Sequence, residues 1–208
     1  MGVLVDTLKA DIRIEEGLKA CINCGSCVAT CPAAEFYSYS PKNIVNLVSS
    51  WDEDTIKELL CSETIWYCGE CMSCMTRCPR GNAPGMVIMA LRSLSIKEGY
   101  FLKSERGRQQ LRLQRALCGN ILNYGYCVYP RTYHYEEHPE SGSIGKWVNE
   151  NADEVFGRVG ANLDGSGTGV LRKISDKALA ELKSIFDATG ATEQMERVEQ
   201  LCRENGIE

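Results

Sequence analysis

The sequence has no run of about 18 apolar residues of the kind that spans a bilayer. No basic segment stands ahead of its short apolar start, Met1-Gly2-Val3-Leu4-Val5-Asp6, so neither a membrane span nor a secretory signal is expected. Asp6 occupies the position where a myristoylation signal needs Ser or Thr. Basic charge is not in excess: 23 Lys and Arg against 28 Asp and Glu leave a net charge of −5, which argues against a nucleic-acid partner. Histidine is nearly missing, and the two present, His134 and His138, fit no ligand or catalytic pattern and read as surface residues. No glycine-rich fingerprint follows a strand pattern, which excludes a nicotinamide or flavin site of the usual kind. The loop Asp164-Gly165-Ser166-Gly167-Thr168-Gly169 has neither the preceding strand nor the following Gly-Lys-Ser/Thr of a phosphate-binding turn.

What the sequence does have is cysteine, 12 in 208 residues. Without an export signal the expected compartment is the reducing cytoplasm, where disulfides rarely persist and such a cysteine count points to metal or redox chemistry. Eight of the cysteines form two copies of one pattern, Cys21-x-x-Cys24-x-x-Cys27-x-x-x-Cys31-Pro32 and Cys68-x-x-Cys71-x-x-Cys74-x-x-x-Cys78-Pro79, each position of the second lying 47 residues after its counterpart. Three cysteines spaced three apart on a tight loop can reach three iron corners of a [4Fe–4S] cubane. The fourth corner faces away from that loop, and in this pattern the fourth cysteine goes to the other cluster. The expected cofactors are therefore two [4Fe–4S] clusters. Cys21, Cys24, Cys27 and Cys78 would ligate the first, and Cys68, Cys71, Cys74 and Cys31 the second. Zinc sites use separated C-x-x-C pairs closing one tetrahedron and fit two intact four-cysteine runs poorly. The remaining Cys61, Cys118, Cys127 and Cys202 show no ligand spacing and are expected to pack as small hydrophobes.

The rest of the chain reads as mainly α. Residues 32–67, between the runs, hold two helical patterns. One is capped by Ser40 with Pro41 at its first position and carries Ile44, Val45, Leu47 and Val48. The other is opened by Asp52-Glu53-Asp54 and carries Ile56, Leu59 and Leu60. Pro84 starts a helix with Met86, Val87, Met89, Ala90, Leu91 and Leu94 inward, and 104–122 is a further helix capped by Ser104. Its Arg106, Arg108, Arg112 and Arg115 read as a solvated face, with docking of an acidic partner as the sharper alternative. The sequence then loses periodicity, and five of its nine tyrosines (Tyr124, Tyr126, Tyr129, Tyr133, Tyr135) fall here, which suggests an extended segment laid over another subunit. A helical pair closes the chain, one helix capped by Ser175 with Leu179, Leu182, Ile185 and Phe186 and ended by Gly190, the next capped by Thr192 with Met195, Val198 and Leu201. The expected division is a dicluster domain over 1–122, an irregular extension over 123–174 and a C-terminal helical segment over 175–208.

Nothing in this pattern is equipped for substrate chemistry, and there is no C-C-G pattern of the kind that builds unusual iron–sulfur centres. The chain reads as an electron conduit that would catalyse nothing alone. Paired runs joined by a helical linker, Cys21-Ile22-Asn23-Cys24-Gly25-Ser26-Cys27 and Trp66-Tyr67-Cys68-Gly69-Glu70-Cys71-Met72-Ser73-Cys74, resemble the α-helical ferredoxin family. Within it the chain resembles the C subunits of heterodisulfide reductase and of the related complexes of sulfur oxidisers, over most of 15–120 and again near Leu-Lys-Ser-Ile-Phe-Asp-Ala-Thr-Gly at 182–190. That resemblance implies a cytoplasmic complex, with any membrane association made through partners. A flavin-containing iron–sulfur subunit and a catalytic subunit with C-C-G motifs would be the partners, and the eight motif cysteines would be the ligands. The long stretch 128–170 tilts the expectation toward sulfur metabolism over methanogenesis. The competing class is the iron–sulfur subunit of a respiratory fumarate/succinate- or glycolate-type dehydrogenase. That class normally adds a [2Fe–2S] domain, for which no room is expected before Cys21.

Overall fold

The structure, a computed structural model, describes residues 2–137, 141–163 and 165–207. It is mainly α, and among the described residues β pairing is limited to one isolated parallel bridge between Ala161 and Val170. Asp164 and His138 lie outside the described residues; His134 is exposed, as a surface histidine should be. The chain separates into two units, 1–109 with 196–208, and 110–195.

The first unit holds α1 (Val3–Lys9), α2 (Ile12–Gly17), α3 (Ser26–Ala29), α4 (Pro32–Phe36), α5 (Pro41–Ser49), α6 (Glu53–Cys61), α7 (Ser73–Thr76), α8 (Pro84–Lys97) and the start of α9 (Glu105–Tyr124). The start signals act through named bonds. Ser40 Oγ accepts the Asn43 N–H at 3.2 Å and Asp52 Oδ2 accepts the Thr55 N–H at 2.9 Å, so each side chain satisfies a donor its helix cannot. Glu53, at the first position of α6, reaches the other way and accepts the Leu4 and Val5 N–H groups at 2.9 and 3.0 Å, capping α1. α8 is the post of this unit, packed by α1, α2, α5 and α6. Val87, Ile88 and Leu91 are fully buried along it, in a core shared with Ile44, Val48, Ile56 and Leu60. Each such side chain is worth roughly 1.5–3 kcal/mol of burial. The sequence expectation for this helix needs one correction: Ile88 faces the core, whereas Met86 and Met89 are only half-buried.

Ser104 caps α9, its Oγ accepting the Gly107 N–H at 2.9 Å, while the Glu63 carboxylate accepts the Arg106 N–H at 3.1 Å. The helix runs to Tyr124, two residues beyond the expected 122, and the division into units falls within it.

The second unit contains α10 (Gly142–Glu150), α11 (Ala152–Arg158), α12 (Asp176–Ala188) and the start of α13 (Ala191–Glu204). Two of these helices, α10 and α11, stand inside 123–174, which therefore is not irregular throughout. Their apolar residues, Ile144, Trp147 and Val148, then Val155 and Phe156, do follow helical spacing, but Gly142, Gly145 and Gly157 dilute the pattern. Ser175 caps α12 as expected, accepting the Ala178 N–H at 3.3 Å, yet no residue of α12 is buried and Ile185 is 57% exposed. α13 begins at Ala191, so Thr192 is not its cap; its hydroxyl donates to Asp187 Oδ1 at 2.6 Å. Val198, Leu201 and Cys202 of α13 are buried and belong to the first unit.

Candidate metal centres

Each cysteine run begins as a loop bent by two left-handed residues. Asn23 (φ 57°) and Gly25 (φ 80°) bend the first, and Glu70 (φ 52°) and Met72 (φ 58°) the second. Both pairs are separated by the repeat of 47. Residues in this conformation turn backbone N–H groups inward, which makes a concavity suited to negative charge, iron–sulfur sites included. The N–H of Asn23 approaches Cys21 Sγ at 3.4 Å and that of Glu70 approaches Cys68 Sγ at 3.4 Å. Ser26 Oγ lies 3.4 Å from Cys24 Sγ, as Ser73 Oγ does from Cys71 Sγ. These serine bonds hold both thiols below the ordinary cysteine range, because the hydroxyl stabilises the thiolate, the metal-binding form. Cys27 and Cys74 sit in the first turns of α3 and α7, where burial is the main influence and pushes both thiols up. As thiolates these two buried sulfurs would need a counter-charge, which iron would supply.

The fourth cysteines cross over. Pro32 occupies the first position of α4 and Pro79 follows Cys78, so neither run continues as helix past its fourth cysteine without a change of direction. Cys21, Cys24, Cys27 and Cys78 line one cavity, together with Lys42, Val45, Arg80, Asn82 and Pro84. Cys31, Cys68, Cys71 and Cys74 line a second, with Pro32, Ala33, Tyr39, Pro41, Met72, Gly85 and Ile88. The structure thus brings together the two foursomes expected from the sequence. The residues fit an iron–sulfur group in each: four cysteine sulfurs and inward N–H groups. α3 and α7, whose first turns carry the third cysteines Cys27 and Cys74, pack together. Cys24 and Cys71 are exposed, giving each cavity an edge at the surface.

Several supporting residues were not legible as site residues. Arg92, on α8, donates from Nε to Ile65 O at 2.7 Å and from its two terminal nitrogens to Cys68 O and Glu70 Oε1, each at 2.6 Å. This one side chain therefore holds the second loop from behind. The first loop has lighter ties, such as Asn46 Nδ2 to Asn23 Oδ1 at 2.6 Å. Asn82 donates its N–H to Cys78 Sγ at 3.3 Å and accepts the Lys19 N–H on Oδ1 at 2.6 Å. Gly85 is there because a Cβ would stand 2.8 Å from Met72 Sδ and 3.8 Å from Cys74 Sγ. Tyr39 is buried beside Cys68 and Cys31, and burial first, then those sulfurs, drive its hydroxyl strongly toward keeping its proton.

Of the four other cysteines, Cys202 is fully buried, as a small hydrophobe should be, and Cys61 and Cys118 are half-buried. Cys127 is exposed, against the expectation that it packs inside. Tyr129 is buried and stacks on Tyr124 with ring centres 4.3 Å apart, so these tyrosines pack on one another. The arginines of α9 do not form a wholly free face. Arg106 lies over the stacked rings of Tyr37 and Tyr67, 5.0 and 5.1 Å from their centres, and Arg108 donates to Leu102 O at 2.8 Å.

Residues 16–82 match the family described as a 4Fe-4S dicluster domain, so the chain carries an iron–sulfur dicluster domain there. The chain is similar to the C subunit of the ferredoxin:CoB-CoM heterodisulfide reductase of Methanosarcina acetivorans, 46% identical over 98 residues, which are 46% of this chain and 38% of that protein. It is similar to the iron-sulfur C subunit of the CoB–CoM heterodisulfide reductase of Methanopyrus kandleri, 33% identical over 89 residues, 43% of this chain and 45% of that one. An iron-sulfur C subunit of the CoB–CoM heterodisulfide reductase of Methanocaldococcus jannaschii is 31% identical over 93 residues, 45% of this chain and 48% of that one. In each case the matched stretch spans less than half of the relative's own length. No helix among the described residues is long and apolar enough to cross a membrane.

Proposed function

We propose that this chain is the electron-transfer subunit of a heterodisulfide reductase-like complex. It holds one [4Fe–4S] cluster by Cys21, Cys24, Cys27 and Cys78 and another by Cys68, Cys71, Cys74 and Cys31. The supporting observation is the crossed lining of the two cavities, with the helices α3 and α7 that carry Cys27 and Cys74 packed together and Cys24 and Cys71 exposed. When bound, each cluster supplies reversible one-electron storage, at a potential that its protein surroundings set. The chain's own part is to hold and separate charge. The inward N–H groups of Asn23, Glu70 and Asn82 and the hydroxyls of Ser26 and Ser73 stabilise thiolate sulfur, while α8 and its apolar contacts fix the two loops against each other. Among the described residues no histidine or carboxylate lines either cavity.

The partners in this reading are a flavin-containing iron–sulfur subunit on one side and a C-C-G-motif catalytic subunit on the other. Its setting is sulfur metabolism or else methanogenesis; the relatives' names favour the second. Iron and acid-labile sulfide counted on anaerobically purified chain test the cofactors, with about eight of each expected from two cubanes. Tightly bound zinc without sulfide would refute them. Anaerobic co-purification tests the partners: a flavin protein and a C-C-G protein are expected in the same complex. Turnover of a disulfide by the isolated chain would refute the conduit.

A further inference from the structure

Tyr39 is 5% exposed, and its hydroxyl has no partner in regular hydrogen-bond geometry within the protein. A buried hydroxyl left unpaired is unfavourable and calls for an acceptor at the site. The ring is fixed edge-on against Tyr67, with centres 6.3 Å apart and planes at 88°, so the hydroxyl is aimed by packing. It belongs to the wall of the second cavity, whose other polar surface is chiefly the sulfur of Cys31, Cys68, Cys71 and Cys74. The repeat explains why only this cavity has it. Residues after each fourth cysteine cover the cluster which that cysteine joins: Pro32, Tyr39 and Pro41 line the second cavity, and Arg80, Asn82 and Pro84 the first. Adding the repeat of 47 to Tyr39 gives Met86, which has no proton to donate. The first cavity's buried donor without a partner is a different group, Asn82 Nδ2, on an amide whose oxygen is taken by Lys19.

We infer that the Tyr39 hydroxyl donates a hydrogen bond to the Cys68 sulfur and thereby raises the reduction potential of the second cluster, acting as a positioning residue that tunes one cluster and not the other. This rests on the cofactor reading above. Reduction adds negative charge to the cluster and its thiolates, and a donor aimed at that sulfur stabilises the reduced form more than the oxidised one. The hydroxyl is out of water, which strengthens the bond.

The test is Tyr39→Phe in the full-length chain, which removes one oxygen and leaves the ring against Tyr67. Iron and sulfide are counted, and both clusters are titrated potentiometrically with spectroscopic detection. Cys31→Ser, which should retain only the first cluster, assigns the signals. At a fixed potential the reduced-to-oxidised ratio of the second cluster should fall roughly tenfold, equivalent to about 59 mV for one electron. The first cluster should not move. An unchanged second midpoint with full iron, or equal shifts in both clusters, would overturn the inference. If Tyr39→Phe sheds iron, unsubstituted protein exchanged into D2O decides it. Iron–cysteine stretching bands of the second cluster should then shift more than those of the first, and equal shifts would overturn it. Absence of sulfide from the unsubstituted protein would overturn the cofactor reading itself, a result distinguishable by its iron count.

Discussion

Lys42 and Arg80 line the first cavity, where the second has Tyr39, Met72 and Ile88. Behind these unlike walls the two loops are nearly the same object. Their left-handed residues, their N–H contacts to the first sulfur and their serine contacts to the second recur at one interval and at matching distances. The loop is therefore what ligation demands, and the wall is where the two sites are free to differ. A cationic wall stabilises added negative charge, and an apolar one resists it. With the clusters held as proposed, the walls alone would make the first the easier to reduce, and the proposed Tyr39 bond would narrow that gap. In the proposed conduit such a difference would give electrons a preferred direction without altering a ligand.

The largest test of the comparison removes one crossing ligand at a time. Cys31→Ser should lower the iron count from about eight to about four and spare the cluster held by Cys21, Cys24 and Cys27. Cys78→Ser should spare the other. If Cys31→Ser instead destroyed the cluster held by Cys21, Cys24 and Cys27, each run would ligate its own cluster, and the crossed assignment would fail. Arg92→Gln comes next. It strips the bonds to Ile65 O, Cys68 O and Glu70 from a side chain only 14% exposed. Hydrogen bonds from a charged group are worth roughly 1.5–3 kcal/mol, so a loss of about 3 kcal/mol is expected. It should appear as faster chelator-driven bleaching of the second cluster, while the first bleaches at its usual rate.

A smaller effect separates the loops themselves. Gly25 has open space where a Cβ would stand, so Gly25→Ala meets only its left-handed φ, a penalty of about 1–2 kcal/mol. The second loop already bears that penalty at Met72, whose side chain fills the space beside Gly85. Met72→Gly should therefore relieve the backbone and lose packing, leaving stability within about 1 kcal/mol of the parent. Urea unfolding of both apo variants measures the two changes. A larger loss at Met72 than at Gly25 would show that wall packing outweighs loop strain.

How much of this was legible in the sequence follows the same division. Cysteine spacing announced the two foursomes, and the caps at Ser40, Asp52, Ser104 and Ser175 announced their helices, because both are local patterns with a fixed chemical demand. Arg92, Asn82 and Tyr39 were not legible as site residues. An arginine on a helix and a tyrosine eight residues past a cysteine have no local signature, and only the tertiary fold carries them to a sulfur or a loop carbonyl. Ile88 was misplaced because α8 is packed on several sides, so a single-face stripe underestimates what it buries. Helices α10 and α11 were missed because glycine interrupts short patterns, and their apolar residues Ile144 and Trp147 remain 74% and 51% exposed. Such segments owe little to a core, and a reading based on burial periodicity has little to find there.

The smallest expected effect tests the electrostatic half of the comparison. Lys42 lines the first cavity and helps hold the Cys24 thiol below its ordinary range, after the larger influence of Ser26. It is half-buried on α5, so solvent screens it partly and its influence should be small. Lys42→Gln keeps the stem and removes the charge. The first cluster's midpoint should move toward more negative potential by less than the Tyr39→Phe shift at the second. The effect should shrink as salt is raised, because screening acts on partly exposed charges within about 10 Å at 0.1 M. A hydrogen bond between buried groups is largely indifferent to salt, so the two sites should respond differently to the same titration. Should Lys42→Gln move the second cluster as much as the first, charge would be acting over the whole domain, and the walls would not be what distinguishes the two sites.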